Sequence, residues 1–417
     1  RRWRAVQLAP CNPSIDRTNR RMSAEDLGFV SDRLARIPAF VQANYLDNGK
    51  LPFASVLVGR GDDIALQWSS GVAEDAIFRI ASMTKPITSV AFMQLVEQGL
   101  VALTDPVTKY IPEFAQLGVF VGGGGNVPFM TRAPKTQMRV IDLLRHTAGF
   151  TYSFQEQGNI DAAYRKTDVE SWTKNTSQSV IDTLAQIPLE FDPGTQWNYS
   201  VATDILGILV ERISGLSLPE YFQTHIFTPL GMTDTFFQVP AGKAARIPEG
   251  FAFDPETKMK LIDKAGADSM WTKGWSFNSG GGGLASSVAD YYRFCRMLLN
   301  GGALDGAQIL SPKTIELMTA NHIPGGQDLT QMSKSLFSEA EMAGIGFGLG
   351  FATTIDSAAT LTPCSTGDFY WGGMYSTAFF VDPVEDIIMI FMTQLLPSTT
   401  YPVRREIKTM IYSALAA

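Results

Sequence analysis

Ser82 and Lys85 stand three residues apart in the stretch Phe78-Arg79-Ile80-Ala81-Ser82-Met83-Thr84-Lys85-Pro86. On a helix this spacing puts a hydroxyl and an amine on one face, within reach of each other. A serine hydroxyl is a weak nucleophile until a neighbour accepts its proton. A lysine amine can do so only where desolvation or a positive field keeps it neutral. Bringing a lysine from about 10.4 to near 7 costs roughly 4 to 5 kcal/mol, which burial and a helix N-terminus can supply together. The pattern itself is common, and a second match occurs at Ser171-Trp172-Thr173-Lys174. That copy lies in a polar run from Asp168 to Gln178 that reads as a solvated face. Ser82 instead follows an apolar approach (Ala76 to Ala81) and precedes the helical pattern Val90, Phe92, Met93, Leu95, Val96, Leu100, closed by Gly99. Taken alone, the stretch fits both a nucleophile and an ordinary helix start.

The elements around it are legible from periodicity and punctuation. Ser23 with Asp26 reads as an N-cap, and Leu27, Val30, Leu34, Ile37, Val41 and Tyr45 predict one long amphipathic helix, bent at Pro38. Phe53 to Arg60 and Ile64 to Ser69, joined by Gly61-Asp62-Asp63, predict a hairpin. From Thr104 the chain turns to helices and loops, with a flexible Gly122 to Gly125, a helix from Val140 to His146 and another from Ser200 to Ile213 stopped at Gly215. Thr233 to Lys273 is rich in turn residues and reads as a long excursion over the surface or the site. Gly280 to Gly283 leads into a helix over Val288 to Leu298. Phe347 to Thr353, Tyr375 to Asp382 and Ile387 to Thr393 read as strands, and Val403 to Leu415 as a closing helix. Strands at both ends with helices between predict α+β organisation: a central antiparallel sheet flanked by helices, with an inserted all-helical subdomain. The expected boundaries are an N-terminal extension over 1–22, an α/β subdomain from 23–103 and 231–417, and a helical subdomain over 104–230. The site then belongs in the cleft between the two subdomains.

The 417 residues are enough for a large core, and 45% hydrophobic with 18% charged residues is a globular composition. A net charge of -7 disfavours a nucleic-acid or anionic-membrane partner, although the tail carrying Arg1, Arg2, Arg4, Arg17, Arg20 and Arg21 is basic. No apolar run reaches the roughly 18 residues of a spanning helix. No signal peptide is visible, which slightly favours the cytoplasm and leaves open a leader removed before residue 1. Cys11, Cys295 and Cys364 are odd in number and far apart, so they read as free thiols.

Other chemistries are poorly served. The histidines are His146, His225 and His322, and no Gly-x-Ser-x-Gly elbow occurs. His146, ending an apolar helix, reads as a packed, hydrogen-bonded histidine. No His-Glu-x-x-His or similar ligand cluster points to a metal, and the glycine runs lack the residues of a phosphate loop. Two further stretches add weight to Ser82. Trp197-Asn198-Tyr199-Ser200 puts a tyrosine just before a helix, after the turn Asp192-Pro193-Gly194. Phe369-Tyr370-Trp371-Gly372-Gly373-Met374 puts two glycines at the start of a strand, where a ligand or backbone can approach closely.

Ser-x-x-Lys, then Tyr-Ser, then Trp-Gly-Gly, in this order and at these distances, resemble the serine β-lactamase and penicillin-binding-protein superfamily. Within it they resemble the family VIII carboxylesterases similar to class C β-lactamases. The resemblance runs from about residue 24 and takes in Leu143 to Gly149, Asp192-Pro193-Gly194 and Pro229-Leu230-Gly231-Met232. It implies a β-lactamase-like fold, an acylated Ser82 with no cofactor, and Lys85 with Tyr199 as a hydrogen-bonded pair that moves its proton. It further implies an oxyanion hole from the backbone N–H groups of Ser82 and Met374, and substrate contacts at Trp371, Gly372, Gly373 and Tyr152. Trp371 stands where the lactam-cleaving relatives have the lysine of Lys-Thr-Gly, replacing a charge with an apolar wall. Val201 stands where they have the asparagine of Tyr-x-Asn. Both departures point to a carboxylesterase acting on small or short-acyl, uncharged esters. The alternatives are an acyltransferase of the same superfamily, or a β-lactamase or D-alanyl peptidase with weak lactam activity.

Overall fold

The computed structural model describes residues 22–334 and 339–416. Seven strands form its principal sheet: β1 (Ala54–Arg60), β2 (Asp63–Ser70), β3 (Ile345–Phe347), β4 (Ala352–Thr354), β5 (Phe369–Gly372), β6 (Ala378–Asp382) and β7 (Ile387–Met392). Their order is β3-β4-β5-β6-β7-β1-β2, and every neighbouring pair is antiparallel. The join between the two ends of the chain is β1 against β7, with Leu57 opposite Ile390 and Val58 opposite Met389. These two strands are apolar at nearly every position because both faces of the sheet are covered. Leu57, Trp371, Phe379, Ile388 and Ile390 face one core, and Val56, Val58, Phe380, Met389 and Phe391 face the other.

Four helices matter most for the site: α1 (Thr84–Glu97), α2 (Ala202–Ser214), α3 (Val288–Leu299) and α4 (Val403–Ser413). α1 is buried on all sides from Thr84 to Leu95, Lys85 included, as expected for a helix threaded through a core. α2 ends at Gly215 in the left-handed conformation that glycine adopts at no steric cost. α4 lays Val403, Ile407 and Ile411 on the second core, with Ile37, Val41 and Tyr45 beside it. The α+β organisation with a central antiparallel sheet flanked by helices is therefore present. Among the described residues no helix is long and apolar enough to cross a membrane, and no group of three or more His, Cys, Asp or Glu is placed to hold a metal ion.

Several expected elements take a different form. The long first helix is broken into Ser31–Leu34, Arg36–Val41 and a wider turn over Gln42–Leu46. Pro38 has no N–H for the carbonyl of Leu34, which is where the break falls. Ser23 and Asp26 do cap each other, but the turn they close ends at Gly28 with φ +75°. The glycine run at 122–125 belongs to a hairpin, Val119–Gly124 with Val127–Arg132, so the segment 104–230 is not all helical. The excursion over 233–273 contains two strands, Gly250–Asp254 and Lys258–Asp263, joined in a small sheet by Leu395–Leu396. Phe347 to Thr353 is two strands joined by a turn, and Gly372 and Gly373 end a strand where a start was expected. Cys295 is a buried free thiol and Cys364 a partly exposed one. Cys11 and nearly all of the 1–22 extension lie outside the described residues.

Candidate active site

Ser82 sits in a single 3-10 turn, Ala81–Met83, that runs directly into α1. The turn is held from below. Arg79, wholly buried, donates through Nε to Asp263 at 2.7 Å and through Nη1 to Gln394 Oε1 at 3.0 Å and the Pro248 carbonyl at 2.8 Å. Gln394 returns the contact, accepting the Arg79 N–H at 3.0 Å and donating to its carbonyl at 3.1 Å. Between this anchor and the serine, Ala81 takes φ +45°, an uncommon value for a residue with a Cβ. Such strain persists only where the surroundings fix it.

Two side chains converge on the Ser82 hydroxyl. Tyr199 Oη donates to Ser82 Oγ at 2.6 Å, and Lys85 Nζ lies 3.2 Å from the same oxygen. Lys85 Nζ also donates to the Gly281 carbonyl at 2.7 Å and lies 4.6 Å from the centre of the Tyr199 ring. The expected direct hydrogen bond between Lys85 and Tyr199 gives way to a different arrangement: the two meet through Ser82, with the amine over the face of the phenol ring. Lys85 is 2% exposed, and this burial lowers its pKa to about 8, against the opposing pull of Asp204, Glu339 and Glu170. Burial pushes the Tyr199 phenol well above its ordinary value of 10, so it stays protonated and serves as a donor.

The glycine run at 280–283 explains how the lysine is held. Thr84 and Thr88 of α1 bond to Leu284 N–H at 3.1 Å and the Gly280 carbonyl at 2.7 Å. A Cβ on Gly281 would stand 2.6 Å from Asp204 Oδ2, and one on Gly280 would stand 2.8 Å from the Thr203 carbonyl. The backbone thus presses between α1 and α2, which needs glycine. Asp204 accepts from Gly281 N–H at 3.1 Å and from Ser279 Oγ at 2.5 Å. One residue, Gly281, therefore gives its carbonyl to the lysine and its N–H to a carboxylate.

Met374 opens the turn between β5 and β6. A Cβ on Gly373 would collide with the Ile80 carbonyl and Thr377 Oγ1, and one on Gly372 would lie 2.5 Å from the Arg404 guanidinium. The two glycines let this turn lie against the loop that carries Ser82. Arg404 ties it down, donating to the carbonyls of Gly373 at 2.6 Å and Thr377 at 2.7 Å, and pairing with Glu339 at 2.7 Å. The Met374 N–H has no hydrogen-bond partner among the described residues.

A cavity of about 460 Å³ opens beside Ser82, lined also by Tyr152, Tyr199, Val201, Trp172 and Met374. Tyr152, expected as a substrate contact, lines this cavity, its ring 5.3 Å from Lys85 Nζ. Trp371 does not. It is 1% exposed, packed 5.3 Å from the Tyr199 ring and 5.4 Å from Phe347, and it faces a separate cavity of about 390 Å³. In β5 it points with Phe369 into the core behind Tyr199, so it and the two glycines act on the site at one remove. His146 is buried with Nδ1 3.3 Å from Ser200 Oγ, and burial with Lys85 nearby holds its pKa well below the ordinary 6.5.

Residues not foreseen also face this cavity: Glu170, Asp204, Glu339 and Trp172. Burial raises Asp204, and it raises Glu170 to about 7 although that carboxylate accepts from Ser153 N–H at 2.6 Å and Oγ at 3.0 Å. Asp204, five residues after Tyr199 at the start of α2, carried the one usable signal. In the second Ser-x-x-Lys match, Lys174 pairs with Asp168 at the surface, while Trp172 between them reaches the cavity.

Comparison with known proteins places the chain among relatives of one fold. Protein Rv1367c of Mycobacterium tuberculosis is 34% identical over 330 residues, 78% of each chain. Esterase EstB of Burkholderia gladioli is 28% identical over 387 residues, 86% of this chain and 90% of that one. The structure of EstCE1, a hydrolase with promiscuous acyltransferase activity, is 24% identical and shares the fold with a TM-score of 0.75 over 92% of this chain and 99% of that one. Residues 39–410 match the Beta-lactamase family, and the chain belongs to it: a serine hydrolase of β-lactamase-like fold.

Proposed function

We propose that the protein is a carboxylesterase acting on uncharged esters through an acyl-Ser82 intermediate, with no cofactor. The observation that carries this reading is the hydroxyl of Ser82 held between a phenol and a lysine whose pKa is lowered to about 8. In its neutral form Lys85 keeps an N–H on the Gly281 carbonyl and turns a lone pair to Ser82 Oγ. As Oγ attacks the ester carbonyl, its proton passes to Lys85. The carbonyl oxygen becomes an oxyanion, for which the unpaired N–H of Met374 and that of Ser82 are the proposed donors. When the tetrahedral intermediate collapses, the leaving alkoxide takes the Tyr199 proton, and Lys85, no longer facing a Ser82 hydroxyl, moves its amine to the phenolate beside it and restores that proton. Water then repeats the cycle on the acyl-enzyme, releasing the acid and restoring Ser82.

Val201, which lines the cavity, supplies no charge or amide for the carboxylate that lactam substrates carry, which favours neutral esters. Ser82→Ala should abolish ester hydrolysis and the acyl-enzyme mass increment together; an undiminished rate in that variant sinks the assignment. Adding an alcohol acceptor separates hydrolysis from acyl transfer, since a transferase forms new ester faster than free acid. Turnover of nitrocefin comparable with that of esters would overturn the neutral-ester reading.

A further inference from the structure

The residues that line the cavity beside Ser82 divide into exposed and buried ones. Phe154 and Met374 line it and are 44% and 40% exposed, so they mark the mouth, with the exposed Pro397 and Thr399 beside them. Val169, Val180, Leu184, Val201 and Phe277 line it too, yet each is at most 3% exposed. They give the cavity a buried apolar wall, to which the helix Ser177–Leu184 contributes Val180 and Leu184.

We infer that this buried apolar wall binds the acyl chain of the substrate, and that the preferred acyl group is an uncharged aliphatic chain of medium length. The inference rests on the esterase reading above. In that reaction the alcohol leaves before water attacks, whereas the acyl group stays bonded to Ser82 Oγ throughout. A wall shielded from solvent suits the part that stays, and the exposed rim suits the leaving alcohol and the incoming water. Buried apolar walls favour methylenes, and the buried carboxylates Glu170 and Asp204 disfavour an anionic chain. A cavity of about 460 Å³ is far more than an acetyl group fills. The short-acyl expectation from sequence is extended accordingly, and Leu184 and Val180 become the residues that set chain length.

The test is a series of esters of one alcohol, with acyl chains from about two to twelve carbons, and a second series of one acyl group with varied alcohols. For the unaltered protein, kcat/KM should climb from acetyl to a maximum at medium chain length. Leu184→Ala should move that maximum to longer chains, raising the ratio of long-chain to medium-chain kcat/KM by about tenfold, in line with what one methylene is worth in an apolar pocket. Val180→Leu, which enlarges a side chain that lines the cavity, should move the maximum to shorter chains. A maximum at acetyl that neither folded variant shifts overturns the inference, as does a shift seen only in the alcohol series. If Leu184→Ala does not fold, Val180→Leu decides the matter alone. Ester hydrolysis unaffected by Ser82→Ala would instead overturn the parent reading, so the two failures are distinguishable.

Discussion

Asp204→Asn should shift the pH profile of ester hydrolysis toward acid. Lys85 and Asp204 hold opposite ends of Gly281, through bonds of 2.7 Å to its carbonyl and 3.1 Å to its N–H. Two unit charges on the order of 7 Å apart in a medium of effective dielectric about 20 interact by about 2 kcal/mol. That corresponds to roughly one to two units on the lysine. Lys85 must be neutral to accept the serine proton, so with a pKa of about 8 the rate should rise with pH through that value and level off above it. The carboxylate stabilises the charged lysine and holds the pKa up; asparagine keeps an acceptor for Gly281 N–H and Ser279 but removes the charge. The acid limb of kcat/KM should therefore move from about 8 to roughly 6.5, and the fraction of neutral lysine at pH about 6.5 should grow from roughly 3% to about half. The assay is kcat/KM between about pH 5.5 and 9.5 with a product detected independently of pH, alongside a thermal melt of each protein. A limb that stays in place, or moves to higher pH, in a folded variant refutes the reasoning: Lys85 would then not be the titrating base, or Asp204 would be protonated when it titrates.

Two further outcomes follow from the same geometry. Tyr199→Phe should lower kcat by about 10² to 10⁴ with little change in KM while the acid limb near 8 remains, because the phenol is placed to relay protons to the leaving group and Lys85 sets the limb; loss of the limb would transfer the base role to the tyrosine. Gly373→Ala should cost about 1–3 kcal/mol in denaturant melts and cut kcat, since a Cβ there meets the Ile80 carbonyl and pushes the Met374 turn away from Ser82; full activity would remove that turn from the oxyanion site.

The sheet was legible because β1, β6 and β7 are short apolar runs bounded by turn residues, a pattern that hydrophobic burial dictates locally. The first helix was misread because a proline's missing N–H and a glycine's left-handed turn outweigh an apolar period that continues through both. Ser82, Lys85 and Tyr199 could be singled out because each carries a reactive group in a recognisable setting. Glu170 and Glu339 could not: they lie 29 and 140 residues from Tyr199 in sequence and, like Asp204 five residues beyond it, become significant only when folding buries them around one amine. Buried charge depends on its neighbours, and those neighbours come from loops far apart in the chain.

The second Ser-x-x-Lys match shows why spacing alone could not choose between the two serines. Ser171 and Lys174 have the right separation, but Lys174 is solvated and paired with Asp168 at the surface, so it lacks the desolvation that a lysine base needs. Lys85 differs in being wholly packed inside α1, with its amine on the Gly281 carbonyl and over an aromatic ring. The chemistry resides in desolvation, which the glycine run at 280–283 makes possible by letting the backbone close over the amine. The solvated copy still contributes: its Trp172 reaches the cavity and rests against Gly282, 3.3 Å from where a Cβ would be. A side chain at position 282 would thus strike a wall of the pocket, just as one at 281 would strike the Asp204 carboxylate. The same four glycines that hold the lysine dry also set the shape of the space that the substrate enters.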